Sequence, residues 1–212
     1  MKIKNASKNQ LRRLPIYLSY LREKQAHGVE VISSPQIAAS LNLSEEQVRK
    51  DLALVSSRDG KPKVGRSVKL LVADIEEFLG YRDSRKAILV GAGHLGRALM
   101  AHDGFESYGL NIIAAFDNDI YKVNCVFNGK YIYSLAELEK KCVELNAHIG
   151  IITVPPQYAQ MICDRLVAAG IKAIWNFASV LLEVPEGVIV QNENMASSLA
   201  VLSNKLKEML YE

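Results

Sequence analysis

A chain of 212 residues, 49% of them hydrophobic, has room for two modest domains and is too apolar to stay disordered. No apolar run approaches the ~20 residues needed to cross a membrane, and the basic start Met1-Lys2-Ile3-Lys4-Asn5 leads into no apolar core of a secretory signal, so the expected location is the cytoplasm. The net charge of +3 is unevenly divided: residues 1–86 carry 17 Lys and Arg against 10 Asp and Glu, while residues 87–212 carry 9 against 13, which suits the first part to a polyanion.

The first expected element is a helix from Lys8 to Gln25, where Leu11, Leu14, Leu18 and Leu21 recur at spacings of three and four with Tyr17 on the same face. Pro15 lies inside that run and predicts a kink or a late start. Ser33-Ser34-Pro35-Gln36 opens a short helix ending near Ser40, with serine as the cap and proline at the first helical position. Leu41-Asn42-Leu43 turns the chain. Ser44-Glu45-Glu46-Gln47 then reads as a capping box that starts a helix reaching about Ser56. Two short capped helices across a tight turn make a helix-turn-helix, with Ile37, Leu41, Leu43, Val48, Leu52 and Val55 as its core. Gln47, Arg49 and Lys50 fall on the flanks and outer face of the second helix, where they can reach base edges and phosphates; Ser33 and Ser44 stand at the helix starts beside them. From Ser57 to Arg66 a wing is expected. It has a turn at Asp59-Gly60 and four basic side chains, Arg58, Lys61, Lys63 and Arg66, suited to phosphate or minor-groove contact. Val68 to Val72 reads as a short strand, and Asp74 to Leu79 as a helix stopped by Gly80.

From Ala87 onward, strands over 87–90, 112–116, 149–154 and 173–177 alternate with helices over 94–102, 134–146 and 157–169. Ser134 and Glu137 read as another capping box, and Gly170 as a helix stop. Such alternation predicts an α/β domain with a doubly wound parallel sheet, whose ligand lies at the carboxyl ends of the strands. Those ends carry Gly91-Ala92-Gly93-His94-Leu95-Gly96, Asp117, Thr153-Val154-Pro155-Pro156 and Asn176-Phe177-Ala178. In a dinucleotide loop Gly91 permits the tight turn, Gly93 lets the backbone approach a pyrophosphate, and Gly96 allows close helix–strand packing. The pyrophosphate would sit on the helix N-terminus, with His94 as a phosphate-side contact. Asp117 can accept both hydroxyls of an adenosine ribose and would repel a 2′-phosphate; no arginine follows it, so NAD(H) is favoured over NADP(H).

Cys125, Cys142 and Cys163 are odd in number and lack metal-ligand spacing, so they read as buried thiols, with only Cys142 near basic neighbours that favour a thiolate; no metal is expected. The tail reads as one helix, Asn194 to Leu210, striped by Ala196, Leu199, Leu202, Leu206 and Met209, which could pack on its own domain or on a partner subunit. No substrate domain and no catalytic set is evident, so an enzyme is not expected.

These pieces resemble the Rex redox-sensing transcriptional repressors over nearly the whole chain. The resemblance is carried by Arg13-Leu14-Pro15-Ile16-Tyr17-Leu18, Ser33-Ser34, Gln47-Val48-Arg49-Lys50-Asp51-Leu52, the glycine loop, Phe116-Asp117, Thr153-Val154-Pro155, residues 166–172 and Asn176-Phe177-Ala178. It implies a winged-helix domain over 1–83, an NAD(H)-binding Rossmann domain over 84–193, and a helix over 194–212 exchanged between the subunits of a homodimer. It also implies operator binding when NADH is low and release when NADH rises. Ala53-Leu54-Val55-Ser56-Ser57-Arg58 departs from the family's usual Ser-Tyr-Phe-Gly segment. His102 stands where a tyrosine lines the nicotinamide pocket in some members, and Asn194-Met195 where Asp-Phe is usual. That aspartate pairs with the arginine matching Arg13 and couples the two domains. Asn194 cannot supply the charge, so weaker redox discrimination is expected. The competing reading is a small NAD-dependent oxidoreductase, or a nucleotide- or CoA-binding module with an incidental N-terminal domain; the helix-turn-helix, the basic wing and the missing substrate domain favour the repressor.

Overall fold

The computed structural model describes residues 6–57 and 65–211, which fall in two compact units, residues 1–83 and residues 84–212. The first unit contains α1 (Lys8–Ala26), β1 (Val31–Ile32), α2 (Ser34–Leu41), α3 (Glu45–Val55), β2 (Arg66–Ser67) and α4 (Val68–Leu79). A reciprocal box between Ser7 and Gln10 starts α1, which runs unbroken through Pro15. The ring removes one backbone donor, while Leu14, Tyr17, Leu18 and Leu21 around it are all fully buried, so packing outweighs the lost bond. Leu11 is exposed and lies outside this core.

The cap of α2 is Ser33 rather than Ser34, again boxed with the residue three on, Gln36. Asn42 takes the left-handed conformation (φ 52°) that ends α2. Ser44 caps α3 by accepting from the Gln47 amide at 3.2 Å, a one-sided cap rather than a full box. The segment expected as a strand over 68–72 is the start of α4: Ser67 accepts from the Leu70 amide. Val68, Leu71, Val72 and Ile75 are buried, and this helical period outweighs the β-branched residues among them. The strand is instead Arg66–Ser67, paired antiparallel with Val31–Ile32. The expected turn at Asp59-Gly60 lies outside the described residues.

The second unit is a seven-stranded sheet in the order β5-β6-β4-β3-β7-β8-β9, built from β3 (Arg85–Val90), β4 (Leu110–Asp117), β5 (Cys125–Phe127), β6 (Lys130–Ser134), β7 (Ile149–Ile152), β8 (Ala173–Asn176) and β9 (Ile189–Asn192). Every neighbouring pair is parallel except β5 with β6. Without β5, the order is that of a dinucleotide-binding fold, with its reversal between β3 and β7. The β5–β6 hairpin turns at Asn128-Gly129, both at positive φ (47° and 73°). Ile88 and Val90 face α6 (Leu138–Glu144) and α7 (Pro156–Ala168), while Ala87 and Leu89 face α5 (His94–Met100), as the period of two requires.

Two helix boundaries differ from the expected ones. Ser134 accepts from the Ala136 amide and opens a 3-10 turn over Leu135–Glu137, so no box forms with Glu137. α5 ends at Met100, and a 3-10 segment, Asp103–Tyr108, leads into β4. The final helix, α8 (Met195–Tyr211), leaves Leu199, Leu202, Leu206 and Met209 exposed.

Candidate dinucleotide crevice and nucleic-acid interface

The carboxyl end of β3 opens into the glycine loop, and three of its residues are fixed by different forces. Gly91 is at φ 105°, and a Cβ there would stand 2.9 Å from the Thr153 carbonyl. Thr153 in turn reaches the Gly91 carbonyl with its hydroxyl at 2.8 Å, tying the ends of β3 and β7 together. A Cβ on Gly96 would lie 2.0 Å from the Gly91 oxygen, so only glycine lets α5 approach the strand this closely. A Cβ on Gly93 would meet nothing within 4 Å: that side of the loop is open. Gly93 caps α5 with no side-chain bond, leaving the first-turn amides for a ligand's oxygens; His94 and Leu95 beside it are exposed.

Asp117 ends β4 nearly buried. Its Oδ2 accepts from the Ala92 amide at 2.8 Å and its Oδ1 from the Asp119 amide at 2.9 Å. The carboxylate is thereby aimed, with one lone pair on each oxygen left for ribose hydroxyls. Ala92, expected as a cofactor contact, is buried and its amide is spent on Asp117, so it shapes the loop instead. Sequence reasoning missed Lys122, whose Nζ is 3.0 Å from Asp119 and 4.0 Å from Asp117. The hydrogen bond to Asp119, reinforced by the Asp117 charge, raises the Lys122 pKa. Its nearness was hidden because it is a lysine five residues on, where an arginine was sought.

On the other side of the reversal lie Pro155, half-buried Phe177 and buried Ala178. Pro155 is exposed at the start of α7. Asn176 is not the ligand contact expected of it. It is fully buried, and its amide donates to the carbonyls of Ala178 and Val180 and to Asn192 Oδ1, while its Oδ1 accepts from the Ala178 amide. It holds the turn that presents Phe177. Rings run from there to His102: Phe177 to Trp175 at 4.8 Å, Trp175 to Phe105 at 5.6 Å, Phe105 to His102 at 4.5 Å. Trp175 also donates to Glu193 at 2.9 Å, next to Asn194, which caps α8 by accepting from the Ser197 amide. Phe177, His102 and the start of α8 therefore share one connected network.

In the first unit, Val48, Asp51, Leu52 and Val55 form the buried face of α3 and leave Arg49 and Lys50 outside. Arg49 pairs with Glu45, and Lys50 with Glu46 at 2.7 Å, each one turn back along the helix. Gln47 is half-buried at the flank. Ser33 and Ser44 spend their hydroxyls as caps. Arg66 donates to Ser56 Oγ at 3.0 Å, linking β2 to the end of α3. Arg58, Lys61 and Lys63 lie outside the described residues.

The two units match different families: one described as a putative DNA-binding protein N-terminus over residues 5–53, the other as a CoA binding domain over residues 82–180. Over 91% of its length the chain is 45% identical to a redox-sensing transcriptional repressor Rex of Treponema denticola, 91% of which is covered. It is 42% identical to the Rex of Bacteroides fragilis, over 92% of this chain and 89% of that one. This chain belongs to the Rex family. Among solved structures, RSP, a Rex-family repressor, resembles it in a complex with β-NAD+ and operator DNA: TM-score 0.90, 33% identity, 97% of this chain and 94% of that one. RSP with β-NADH gives a TM-score of 0.86 at 33% identity, over 96% and 95% of the two chains.

Against the Rex pattern, one departure changes meaning. With asparagine at residue 194, Arg13 was expected to lose one ionic partner, the family's aspartate there. It has one in its own unit, Asp51, bound through Nε at 2.7 Å and Nη2 at 2.9 Å. Two of the three cysteines, Cys142 and Cys163, are buried as expected. Cys125 is exposed, while Cys142 is buried and its thiol is pushed up to about 11 by that burial and by the charge of Glu139, the opposite of a favoured thiolate. Among the described residues no helix is long and apolar enough to cross a membrane, and no acidic, His or Cys group could hold a metal.

Proposed function

We propose that this Rex-family protein is a transcriptional repressor that binds operator DNA when NADH is scarce and leaves it when NADH fills the crevice at the glycine loop. The observation that carries the proposal is the pairing, in one chain, of a capped helix-turn-helix with a nucleotide crevice open at Gly93 and backed by an aimed Asp117. The solved relative RSP was crystallised with β-NAD+ and operator DNA and with β-NADH, which supports both halves. Residues 1–83 are the DNA-binding domain, acting through Gln47, Arg49, Lys50 and Arg66 and the wing cations Arg58, Lys61 and Lys63. Residues 84–193 hold NAD(H): Gly91, Gly93 and the first turn of α5 at the pyrophosphate, Asp117 at the adenosine ribose, Thr153 and Pro155 at the middle, and Phe177 and Ala178 with His102 and Asn194 toward the nicotinamide. Residues 194–212 join two copies into a homodimer, burying the exposed stripe of α8. The protein acts in the cytoplasm as a regulator rather than an enzyme, as the repressor names of its relatives support.

The test is a titration of a duplex enriched by the protein from a random-sequence pool. Anisotropy is read as NADH, NAD+, NADPH or coenzyme A is added. NADH is expected to release the duplex at the lowest concentration, and affinity is expected to fall steeply with salt because phosphates are neutralised. Binding that ignores salt, or release by coenzyme A but not NADH, would contradict the proposal.

A further inference from the structure

Beneath the outer face of α3, within the first unit, lies an ionic cluster around a buried carboxylate. Asp51, on α3, is 1% exposed. Arg13, on α1, grips both of its oxygens, and the buried Tyr17 hydroxyl donates to Oδ2 at 2.8 Å. A cluster of this kind is a poor source of stability, because removing a carboxylate from water offsets much of what the ion pair returns. A well-packed leucine would hold α3 to α1 as firmly. What the fork adds is direction: a guanidinium and a carboxylate joined by two parallel bonds are coplanar, and they fix the rotation of α3 about its own axis. Lys50 and Arg49 are one and two residues before Asp51 on the same rigid helix, so any roll at Asp51 passes to them undiminished.

We infer that Asp51, held by Arg13 and Tyr17, is a positioning residue for operator recognition: it sets the roll of α3 and so the preference for operator over other DNA. The inference rests on the DNA-binding function proposed above. Long basic side chains follow a phosphate through a small roll, whereas contacts to base edges need alignment. The effect of the cluster should therefore appear in the ratio of specific to non-specific binding.

The experiment uses the full-length protein with two duplexes of equal length at one salt concentration, one selected from a random pool and one scrambled. Asp51→Asn keeps the shape and removes the charge. It is expected to weaken binding to the selected duplex about tenfold or more while changing the scrambled duplex and NADH affinity less than about twofold. Arg13→Met/Tyr17→Phe/Asp51→Leu replaces the whole cluster with apolar groups. It is expected to melt at or above the wild-type temperature and still keep the low ratio. Equal loss on both duplexes in Asp51→Asn would mean only a smaller folded fraction, and a triple variant that regains the wild-type ratio would mean that the cluster merely fills space; either overturns the inference. If the triple variant does not fold, the Asp51→Asn ratio decides. A wild-type protein with no preference between the duplexes would remove the DNA-binding function, and this inference with it.

Discussion

Gly93 and Gly96, three residues apart in one loop, should fail in opposite ways when given a side chain. Gly93 faces open space, so Gly93→Val should fold normally and block the approach of a pyrophosphate. Gly96 has the Gly91 oxygen 2.0 Å and a Leu89 methyl 3.0 Å from where its Cβ would be, so Gly96→Ala must push α5 off the strand, costing about 1–3 kcal/mol. Calorimetry with NADH and thermal melts separate the two: Gly93→Val should lose NADH with little change in melting temperature, and Gly96→Ala should lose both. A Gly93→Val protein that binds NADH as the wild type does would show that the ligand lies elsewhere. The sequence reveals these glycines because their jobs are set by backbone geometry common to every such loop. Ala92 and Asn176 are different: they stand at the strand ends where a ligand is expected, yet their polar groups go to Asp117 and to the Ala178–Val180 turn. No local pattern shows which neighbour a buried amide will meet.

At the scale of elements, the helices of the first unit were legible from their caps, and the strand pattern of the second from its apolar runs. The errors fell where two signals compete. Val68 to Val72 has β-branched residues at both ends, and only the later Ile75 completes the helical period. The β5–β6 hairpin carried its own sign in Asn128-Gly129, but Cys125–Phe127 and Lys130–Ser134 are only three and five residues long, so their apolar runs are too short to stand out as strands. The α1–α3 contact offers a pH test. Burial pushes the Asp51 carboxyl up, but the hydrogen bonds from Arg13 and Tyr17 outweigh it and leave the carboxyl below its usual range. Its contribution is therefore present above the unfolded value of about 3.9 and is lost as pH falls through the lower folded one. Tyr17 is pushed up to about 12, by burial first and then by Asp51, so its contribution is present below about 10 and lost as pH rises toward 12. Tyrosinate absorbance should show a late-titrating phase, and Tyr17→Phe should remove it. A late phase that persists in Tyr17→Phe would place it on another residue.

The last helix makes a prediction of the same kind. Leu202 and Leu206 of α8 are 64% and 51% exposed, on a stripe that a folded chain does not leave bare without a partner. Between β8 and β9 the connection over residues 177–188 forms no helix, so the face bearing half-buried Trp175 and Phe177 has no crossover helix of its own. Removing residues 196–212 should therefore give a monomer or an aggregate with little operator affinity, since two half-sites need two domains at fixed spacing. Sedimentation of the truncated protein as a soluble dimer that binds DNA normally would refute the role given to α8.

For the whole molecule, the sensing function is a coupling between two ligands, and coupling is reciprocal. NADH and NAD+ share the adenosine and pyrophosphate, so the contacts proposed for Gly93 and Asp117 would be common to both. Any difference between the two must arise where the nicotinamide rings differ in charge. A ligand moves a conformational equilibrium only by its differential affinity for the two states. If NADH lowers operator affinity by some factor, then saturating operator must lower NADH affinity by the same factor, whatever path connects the sites. We expect that factor to be about 5–150 for NADH, the range of ordinary allosteric couplings, and smaller for NAD+. NADH titrations with and without saturating operator, and operator titrations with and without saturating NADH, give the factor twice. Gly93→Val should keep the operator affinity of the nucleotide-free protein and lose its response to NADH, because it removes the ligand and not the DNA-binding surface. If the two measured factors disagree, NADH and operator are not linked through one equilibrium on this protein, and the sensing reading fails.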